Sequence, residues 1–439
     1  MHAIARMVSV VGSSILVGAG AAQAQGDSPY IRVVDEDSST VRLDVAVRTL
    51  APTEQDRPLI NLVGAIHIGD AGFYDAVQAL LDVHDLVLYE GVGGERDAAP
   101  EARGDDHAAI VTQRRLRFLA VLAEGARRRT GEHPETPEAL AASVGAPMRD
   151  LVARALVDGW GRPILFAPGG EPDAVSLGRD GQAGGVDADA DLSAQDLMAS
   201  PRTIATAGES EGLQRDLADA LGLVFQMDGI DYSGAHWRNS DLSIGEIQEA
   251  LGGGRPAEGG TGDGGEPDAI DPNAPEGLKA ADMLFRTLSG ESFLAKASGF
   301  LLKMLGSSPS GRAIVKIMLA DTLTHAEDLL AMQPGGLADL MKVIVEDRNA
   351  AVVTDLRAVV EGEPGVQTVA VFYGAGHFGD LEERICTELG YRHDSTLWVP
   401  AMTIDLEEAG LSPGQVKLFR KMMRDMIAAQ MEALRSHGE

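Results

Sequence analysis

The chain has very little cysteine, few aromatic residues and a deficit of basic residues. Cys386 is the only cysteine among 439 residues, which excludes an internal disulfide and a zinc knuckle built on paired cysteines. Aromatic residues make up 4% and hydrophobic residues 44% of the sequence, so the core must consist mainly of aliphatic side chains. With 37 basic and 67 acidic residues, the net charge of −30 argues against nucleic acid or an anionic membrane as a partner.

Long hydrophobic runs are missing after the amino terminus. The one early run, residues 7–22, follows Arg6 and ends in Ala22-Gln23-Ala24, which fits the small-x-small pattern of a signal-peptidase site. We therefore predict that residues 1–24 are a secretory signal peptide and that the mature chain is exported, most simply to a periplasm. An uncleaved amino-terminal anchor is the alternative, and no later stretch reaches the ~20 apolar residues of a transmembrane helix.

A seven-residue pattern occurs twice, near opposite ends of the chain. GAIHIGD spans residues 64–70 and GAGHFGD spans residues 374–380, with five of seven positions identical. Each copy follows a short apolar stretch typical of a buried strand and precedes a helical pattern. The first glycine of each copy allows a sharp turn, and the second is predicted to let the backbone approach a ligand closely. The final aspartates, Asp70 and Asp380, are predicted helix N-caps.

Two β-α-β-like units surround these copies, so the sequence predicts an α/β fold. The first unit ends in an apolar strand at residues 85–90, and the second ends in an extended stretch at residues 394–402. We expect the strand before the first copy and the strand at 85–90 to be parallel neighbours. That arrangement places Glu90 on the same rim of the sheet as His67.

The duplicated histidines are candidate metal ligands. Two imidazoles and one carboxylate, from His67, His377 and Glu90, would form a divalent-metal site for Zn, Mn or Co with positions left open for water. Such a site would activate water for hydrolysis. For either histidine alone, a helix cap or a hydrogen-bonded core group is the alternative, but capping does not require the same local design twice.

The paired G-x-x-H motifs, together with Tyr89-Glu90, resemble the TraB family, which includes the GumN-like proteins and the Tiki metalloproteases. Residues 221–241 and 346–349 are also similar to segments of that family. The resemblance covers roughly residues 40–95 and 205–405 and implies a core related to the erythromycin-esterase and ChaN folds. In the Tiki branch it implies a metal-dependent peptidase that uses the two histidines and the glutamate.

The same resemblance draws attention to one arginine. Arg348 matches the arginine of the family in the helix before the last unit. It could bind a substrate carboxylate or fix Glu90, and a structural or surface arginine is the alternative.

A second segment does not follow this pattern. A basic helix at 111–130, DGWGRP at 158–163 and SLGRDGQAGG at 176–185 resemble the carboxyl-terminal globular part of the major pseudopilin of type II secretion. We therefore predict a small α+β insert, with Gly159 standing where that family usually has proline. The hydrophobic amino-terminal helix by which pseudopilins polymerise is absent next to this segment, which argues against a pilus subunit.

The insert ends in a glycine-rich, acidic loop, and hard carboxylate oxygens on such a loop suit Ca²⁺. The resemblance implies the Leu177 carbonyl and loop aspartates as ligands. An unliganded acidic loop is the alternative. The candidate ligands are Leu177, Asp180, Asp187, Asp189 and Asp191.

The sequence thus predicts five parts and several possible functions. The parts are the signal at 1–24, the first half of the core at 25–106, the insert at 107–198, the second half at 199–405 with a disordered linker at 252–277, and a closing helix at 406–439. The first hypothesis is an exported metal-dependent hydrolase acting on peptides or proteins. A non-catalytic binding or assembly protein that meets secretion-system components is the second. Heme or metallophore binding is the third, and the low aromatic content weighs against it.

Overall fold

The computed structural model describes residues 29–35, 39–91, 103–167, 173–200, 213–243, 246–247, 308–324 and 342–422, with two further helical positions at 425 and 429. The predicted signal at 1–24 and the linker at 252–277 lie outside these residues, as does the helical pattern at 278–288.

Twelve strands are found among the described residues. In chain order they are β1 Ile31–Asp35, β2 Thr40–Pro52, β3 Leu59–Ala65, β4 Ile68–Gly69, β5 Leu86–Tyr89, β6 Leu165–Ala167, β7 Asp173–Ser176, β8 Leu192–Ser193, β9 Val224–Phe225, β10 Trp237–Asn239, β11 Thr368–Gly374 and β12 Tyr391–Asp405.

The helices of the same residues, renumbered in chain order, are α1 Ala71–Leu81, α2 Gly104–Thr130, α3 Pro137–Ser143, α4 Arg149–Ala155, α5 Ala194–Ala199, α6 Leu213–Leu221, α7 Gln226–Gly229, α8 Pro309–Leu323, α9 Arg348–Gly362 and α10 Phe378–Leu389. A π-helical turn, Lys342–Asp347, runs directly into α9. Residues 413–422 form the described part of the predicted closing helix.

The core is a mixed seven-stranded sheet, which fits the predicted α/β class. Its order is β1-β2-β3-β11-β5-β10, and β12 pairs with the other edge of β2. Strands β3, β11, β5 and β10 are mutually parallel, whereas β1, β2 and β12 pair antiparallel. The predicted pairing of β3 with β5 was wrong in detail, because β11 from the far end of the chain lies between them.

The parallel strands at the centre of the sheet are almost completely buried. Every residue of β3 and β5 is buried, as are the first six residues of β11. Strands covered on both faces read as continuous aliphatic runs rather than as alternating patterns, which is why these segments were recognisable in the sequence. The chain compensates for its low aromatic content with valine, leucine and isoleucine at these positions.

The insert is an α+β unit that packs on the core. Helix α2 contacts α1 on one side and α5 on the other, and β6, β7 and β8 form a small antiparallel sheet. Polar contacts also join the two parts, because Arg154 lies 3.2 Å from Asp85 at the start of β5. The insert is therefore held against the core along its long helix rather than only tethered to it.

Gly159 has a structural reason to differ from proline. Its backbone N–H donates a hydrogen bond to Thr112 Oγ1 at 2.9 Å, which proline cannot do. A side chain is also excluded, because a Cβ at this position would lie 2.1 Å from the carbonyl oxygen of Ala108.

Two details of the repeated motif were predicted incorrectly. Asp380 is not an N-cap, because α10 begins earlier, at Phe378, directly after a 3-10 turn over residues 375–377. Asp70 occupies the N-cap position of α1 but makes no capping side-chain bond; its carboxylate accepts the N–H of Thr403 at 2.7 Å. At Gly379 an added Cβ would meet no protein atom within 4 Å, and the expected close approach of a ligand to this glycine stays a prediction.

In the part of the chain that the structure describes, no helix has the length and apolar character needed to cross a bilayer.

Candidate functional site

The two motif copies leave the sheet side by side. Strands β3 and β11 are parallel neighbours in a register that pairs Tyr373 with Gly64 and Gly374 with Ala65. Both copies therefore begin at the carboxyl-terminal edge of the sheet, where parallel α/β sheets bind ligands. Glu90 follows β5 on the other side of β11, and its Oε2 accepts the N–H of Gly374 at 2.8 Å.

His377 is fully buried beside this carboxylate. Its Nε2 lies 3.9 Å from Glu90 Oε1 and has no hydrogen-bond partner, although the atom is inaccessible to solvent. An unpartnered buried polar atom is costly, so its presence points to a ligand or to a functional role. Burial lowers the pKa of His377 to about 4, against the raising effect of Glu90, so the imidazole is neutral near pH 7.

Asn349 determines which nitrogen of His377 carries the proton. The Asn349 amide N–H₂ donates to the His377 carbonyl at 3.2 Å and to Asp380 at 2.9 Å. Its Oδ1 therefore faces His377 Nδ1, 2.7 Å away, and accepts the proton of that nitrogen. The neutral ring then presents an unprotonated Nε2 towards Glu90, which is the form that binds metals.

Arg348 fixes Glu90 from the opposite side. This arginine is 2% exposed and donates from Nη2 to Glu90 Oε1 at 2.7 Å. It also donates from Nε and Nη2 to the two oxygens of Asp241, each at 2.7 Å. Of the roles considered for Arg348, the geometry places it on Glu90, as an internal guanidinium between two carboxylates.

The buried cluster of Glu90, Asp241, Arg348 and His377 carries more negative than positive charge. Burial opposes ionisation of Glu90, but the charge of Arg348, the neighbouring histidines and the N–H of Gly374 together outweigh it and lower the pKa of Glu90 to about 2. Burial raises the pKa of Asp241 despite the same arginine. With both carboxylates ionised, one arginine and a neutral His377 leave a net charge of −1, which favours a cation.

His67 lies at the same edge but in a different setting. The two residues after it form β4, which pairs with β9, and the N–H of Gln226 donates to the His67 carbonyl at 2.8 Å. Burial lowers the pKa of His67, while the charge of Glu90 raises it and that of Arg348 lowers it further. Its imidazole is thus within electrostatic reach of Glu90. Across the described residues, however, no three His, Cys, Asp or Glu side chains are gathered as a metal-binding group.

The acidic loop of the insert is arranged around Arg179. This arginine pairs with Asp189 at 2.8 Å and with Asp105 at 2.7 Å. Asp180 and Asp191 each accept one backbone N–H, at 2.9 Å, from Gln182 and Gly184 respectively.

Two other candidate calcium ligands, Asp187 and Leu177, lie at left-handed turns of the same loop. Asp187 has a left-handed backbone (φ 54°), and Leu177 precedes Gly178, whose φ is also positive. Four aspartates face Arg179 and Arg162, which lies against the loop at Gly181, so the loop stays net negative, although the structure shows one of the aspartates, Asp189, already paired.

Sequence reasoning missed two residues of the sheet-edge site. Asp241 ends the segment 221–241 that had been noted as family-like, and Asn349 directly follows Arg348. Nothing in the sequence pattern signals that an amide orients His377 or that a second carboxylate shares the arginine.

The comparison with protein families agrees with one part of the sequence analysis. Residues 105–195 match the family described as type II secretion system (T2SS), protein G. The match establishes a pseudopilin-like insert and does not include His67, Glu90, Arg348 or His377. No curated protein and no solved structure matched the chain.

Proposed function

We propose that this protein is an exported metal-dependent hydrolase that acts on peptides or proteins, with its centre at the carboxyl-terminal edge of the sheet. One observation carries the proposal: the Nε2 of His377 is buried, unprotonated and without a partner, 3.9 Å from the Glu90 carboxylate. The pseudopilin-like insert supports export, since that family belongs to a secretion system.

His377, Glu90 and His67 supply the nitrogen and carboxylate donor types that divalent transition metals such as Zn, Mn or Co bind. His377 offers a neutral nitrogen whose other ring nitrogen is fixed by Asn349, an arrangement typical of metal-ligating histidine. Glu90 would supply the carboxylate, and His67 is the third proposed ligand, since it lies within the field of Glu90. A metal at this edge would supply Lewis acidity towards a bound water or carbonyl.

Two neighbouring groups of the chain would hold the carboxylate of Glu90 in place. Arg348 keeps Glu90 ionised and oriented. Burial by itself favours the protonated carboxyl group, whereas the positive charge of Arg348 stabilises the carboxylate. The N–H of Gly374 holds the second oxygen of Glu90, so both oxygens of that carboxylate have a defined direction.

Metal content tests this proposal directly. The chain from Gln25 onward would be purified and dialysed, and its metal content would be measured by mass spectrometry. The His67→Ala/His377→Ala double variant would be measured beside it. His393→Ala is the control, because His393 is exposed. We expect a transition metal near stoichiometry in the wild type and in the control, and none in the double variant. No metal in any of them after reconstitution would overturn the proposal.

Turnover would be measured separately with a peptide library read by mass spectrometry. Glu90→Gln is expected to abolish cleavage, because the amide removes the anionic oxygen while retaining the size of the side chain. Equal cleavage by wild type and Glu90→Gln would refute a catalytic role for this edge of the sheet.

A second candidate function rests on the insert. Four of the six large hydrophobic side chains exposed among the described residues lie in it, namely Ile110, Val157, Leu165 and Val186. Exposed apolar side chains concentrated on a pseudopilin-like domain favour contact with components of type II secretion. In that case the chain would act as a binding or assembly protein.

This alternative can be tested without removing the insert, whose long helix is buried against the core. Val186 is 74% exposed, and Val186→Asp should weaken binding to the purified globular domain of a major pseudopilin by roughly tenfold. Leu418→Asp is the matched control, because Leu418 is 62% exposed outside the insert. Absence of binding by the wild-type chain would exclude this contact.

Ca²⁺ at the insert loop is the remaining proposal, with the Leu177 carbonyl and the aspartates Asp180, Asp187 and Asp191 as ligands and Asp189 already held by Arg179. The excess of negative charge supports it. Millimolar Ca²⁺ should raise the melting temperature more than Mg²⁺ does. Asp187→Asn should remove the difference, since asparagine tolerates the left-handed backbone of this position. Equal shifts with both ions would count against a calcium site.

A further inference from the structure

A cavity of about 430 Å³ lies between the insert and the core. Its walls come from the core elements α1 and β12 and from the insert elements α2, β6, β7 and α5. The apolar side chains that form most of it include Phe73, Leu119, Phe166, Met198, Leu397 and Trp398. None of His67, Glu90, Arg348 and His377 is among its lining residues, so it is separate from the site at the sheet edge.

The volume is that of a small-molecule site. Pockets that bury drug-sized ligands measure about 300–1,000 Å³ and are predominantly apolar with a few polar groups. This cavity has the same character, and it exists only where the insert packs on the core. Neither part alone would form it.

The charged groups of the lining are already satisfied. Glu124 pairs with Arg127 at 2.6 Å and with Arg128 at 2.7 Å. Asp70 accepts the N–H of Thr403 and lies 3.6 Å from the ammonium group of Lys316.

The third acid is satisfied in the same way. Asp173 accepts hydrogen bonds from Ser193 Oγ and from the N–H of Gln195. A charged ligand would therefore have to compete with existing partners, whereas a neutral one would not.

One polar atom of the lining stands out. His133 lines the cavity, and its Nδ1 is buried with no hydrogen-bond partner. A buried nitrogen of this kind is normally satisfied by protein or by a bound molecule. As the neutral imidazole can leave this nitrogen unprotonated, a ligand with an N–H or O–H group could donate to it.

We propose that this cavity is a binding site for a neutral small molecule. The molecule has a mostly apolar body that contains one or two rings, and it has one hydrogen-bond donor that pairs with His133. The apolar walls and volume select the body of the ligand. The satisfied acids select against net charge, and the unpartnered nitrogen, in the tautomer that leaves it unprotonated, selects the donor. The proposal does not depend on hydrolysis at the sheet edge.

The probe for the test is N-phenyl-1-naphthylamine, a neutral molecule with two aromatic units and one N–H. Its fluorescence rises on transfer to an apolar site, so a titration of the full chain should give a saturable, one-to-one signal. Trp398 forms part of the wall, so excitation of tryptophan should sensitise the bound probe, and Trp398→Phe should reduce this transfer.

Gly72→Phe is the blocking variant. Gly72 lines the cavity at the start of α1, and an added Cβ would meet nothing within 4 Å, so the new side chain can be placed without a clash. The matched control is Gly362→Phe, at an exposed glycine at the end of α9 that is equally free of neighbours. Gly72→Phe should weaken probe binding by at least roughly tenfold, and the control should leave it unchanged.

Further variants separate the parts of the proposal. His133→Phe keeps an aromatic ring but removes the acceptor, so it should weaken the probe several-fold, and the anionic 8-anilinonaphthalene-1-sulfonate should bind more weakly than the neutral probe. Unsaturable probe fluorescence, or equal binding by Gly72→Phe and the control, would overturn the site. Equal affinity for the anionic dye would overturn the selection against charge. Unchanged binding by His133→Phe would overturn the role of His133.

Discussion

The two copies of G-A-x-H-x-G-D have the same residues at five positions and different structures. In the first copy the chain continues from β3 into the short strand β4, and α1 begins only after Asp70. In the second copy the residues after β11 form a 3-10 turn that leads straight into α10, so Asp380 lies inside that helix. The same short sequence thus takes an extended form in one place and a helical form in the other.

The surroundings explain this difference. The first copy has a partner strand, since β9 pairs with Ile68 and Gly69, and Gln226 at the start of α7 donates its backbone N–H to the carbonyl of His67. The second copy has α9 beside it, and Asn349 from that helix bonds both the backbone and the ring of His377. Tertiary partners therefore decide the local conformation and also make His377 the more buried and more precisely oriented of the two histidines.

The comparison can be broken most severely at Arg348, whose charge acts on both motif histidines. Arg348→Ala would leave Glu90 and Asp241 buried without their cation, and we expect the free energy of unfolding to fall by about 3–5 kcal/mol. Arg357→Ala in the same helix is the control. Its exposed pair with Glu388 should contribute only about 0–1 kcal/mol. Urea unfolding of both variants measures the difference, and similar losses would contradict a buried ion cluster.

The pH dependence of stability should show how firmly burial keeps His377 of the second copy neutral. Burial lowers the pKa of His377 to about 4, and it lowers the pKa of His84, a buried residue that follows α1, also to about 4. The unfolded chain protonates both near pH 6.5, so stability is fully present above that pH and is lost as the pH falls towards 4. Between pH 7 and pH 5 each histidine should cost ~2 kcal/mol.

Unfolding of metal-free protein across this range measures the effect. His377→Gln should remove about one proton from the slope of the wild type. A slope that is the same in both proteins would mean that His377 is not held neutral by the fold.

A smaller effect is expected at the residue that orients the second histidine. Asn349→Leu removes the acceptor of the Nδ1 proton, and it should cost about 1–3 kcal/mol because buried polar groups lose their partners. It should also weaken metal binding by about 10–100-fold if His377 is a ligand. Nitrogen chemical shifts of the imidazole check the mechanism, since the wild type should carry its proton on Nδ1. A wild-type ring protonated on Nε2 would contradict the assigned geometry.

The smallest change in stability is expected at the second glycine of each copy, Gly69 and Gly379. A Cβ on Gly69 would lie 3.0 Å from the carbonyl oxygen of Ala401 and 3.2 Å from the ring of Phe73, so Gly69→Ala should destabilise by about 1 kcal/mol. Gly379→Ala lies within α10 with open space around it and should stabilise by about 0.4–1 kcal/mol. Thermal unfolding of the two variants checks the opposite signs, and a shared sign would mean that the copies are structurally equivalent.

Much of the fold could be predicted from local patterns. The buried strands β3, β5 and β11 are short aliphatic runs with a glycine at or near their carboxyl-terminal ends, and the helices after them have clear apolar spacing. The pseudopilin-like insert was recognisable because its segments are long and ordered along the chain, and the family comparison confirms it over residues 105–195.

The site was predictable only in part. Four of its residues, His67, Glu90, Arg348 and His377, stood out by motif or resemblance, whereas Asp241 and Asn349 carry no local signal. The placement of β11 between β3 and β5 was also missed. That error arose because strand order depends on long-range packing rather than on the order in which strands occur along the chain.

Outside the two motif copies, the sequence by itself determined which segments become strands and helices, because aliphatic runs, helical spacing and glycines act over a few residues. It also determined the presence of the insert and the strong negative charge. Only the tertiary structure decided that the two G-A-x-H-x-G-D copies lie on adjacent strands, that Arg348 joins Glu90 to Asp241, and that a cavity forms between insert and core. These features depend on burial and on contacts between residues far apart in the chain, which no local pattern specifies.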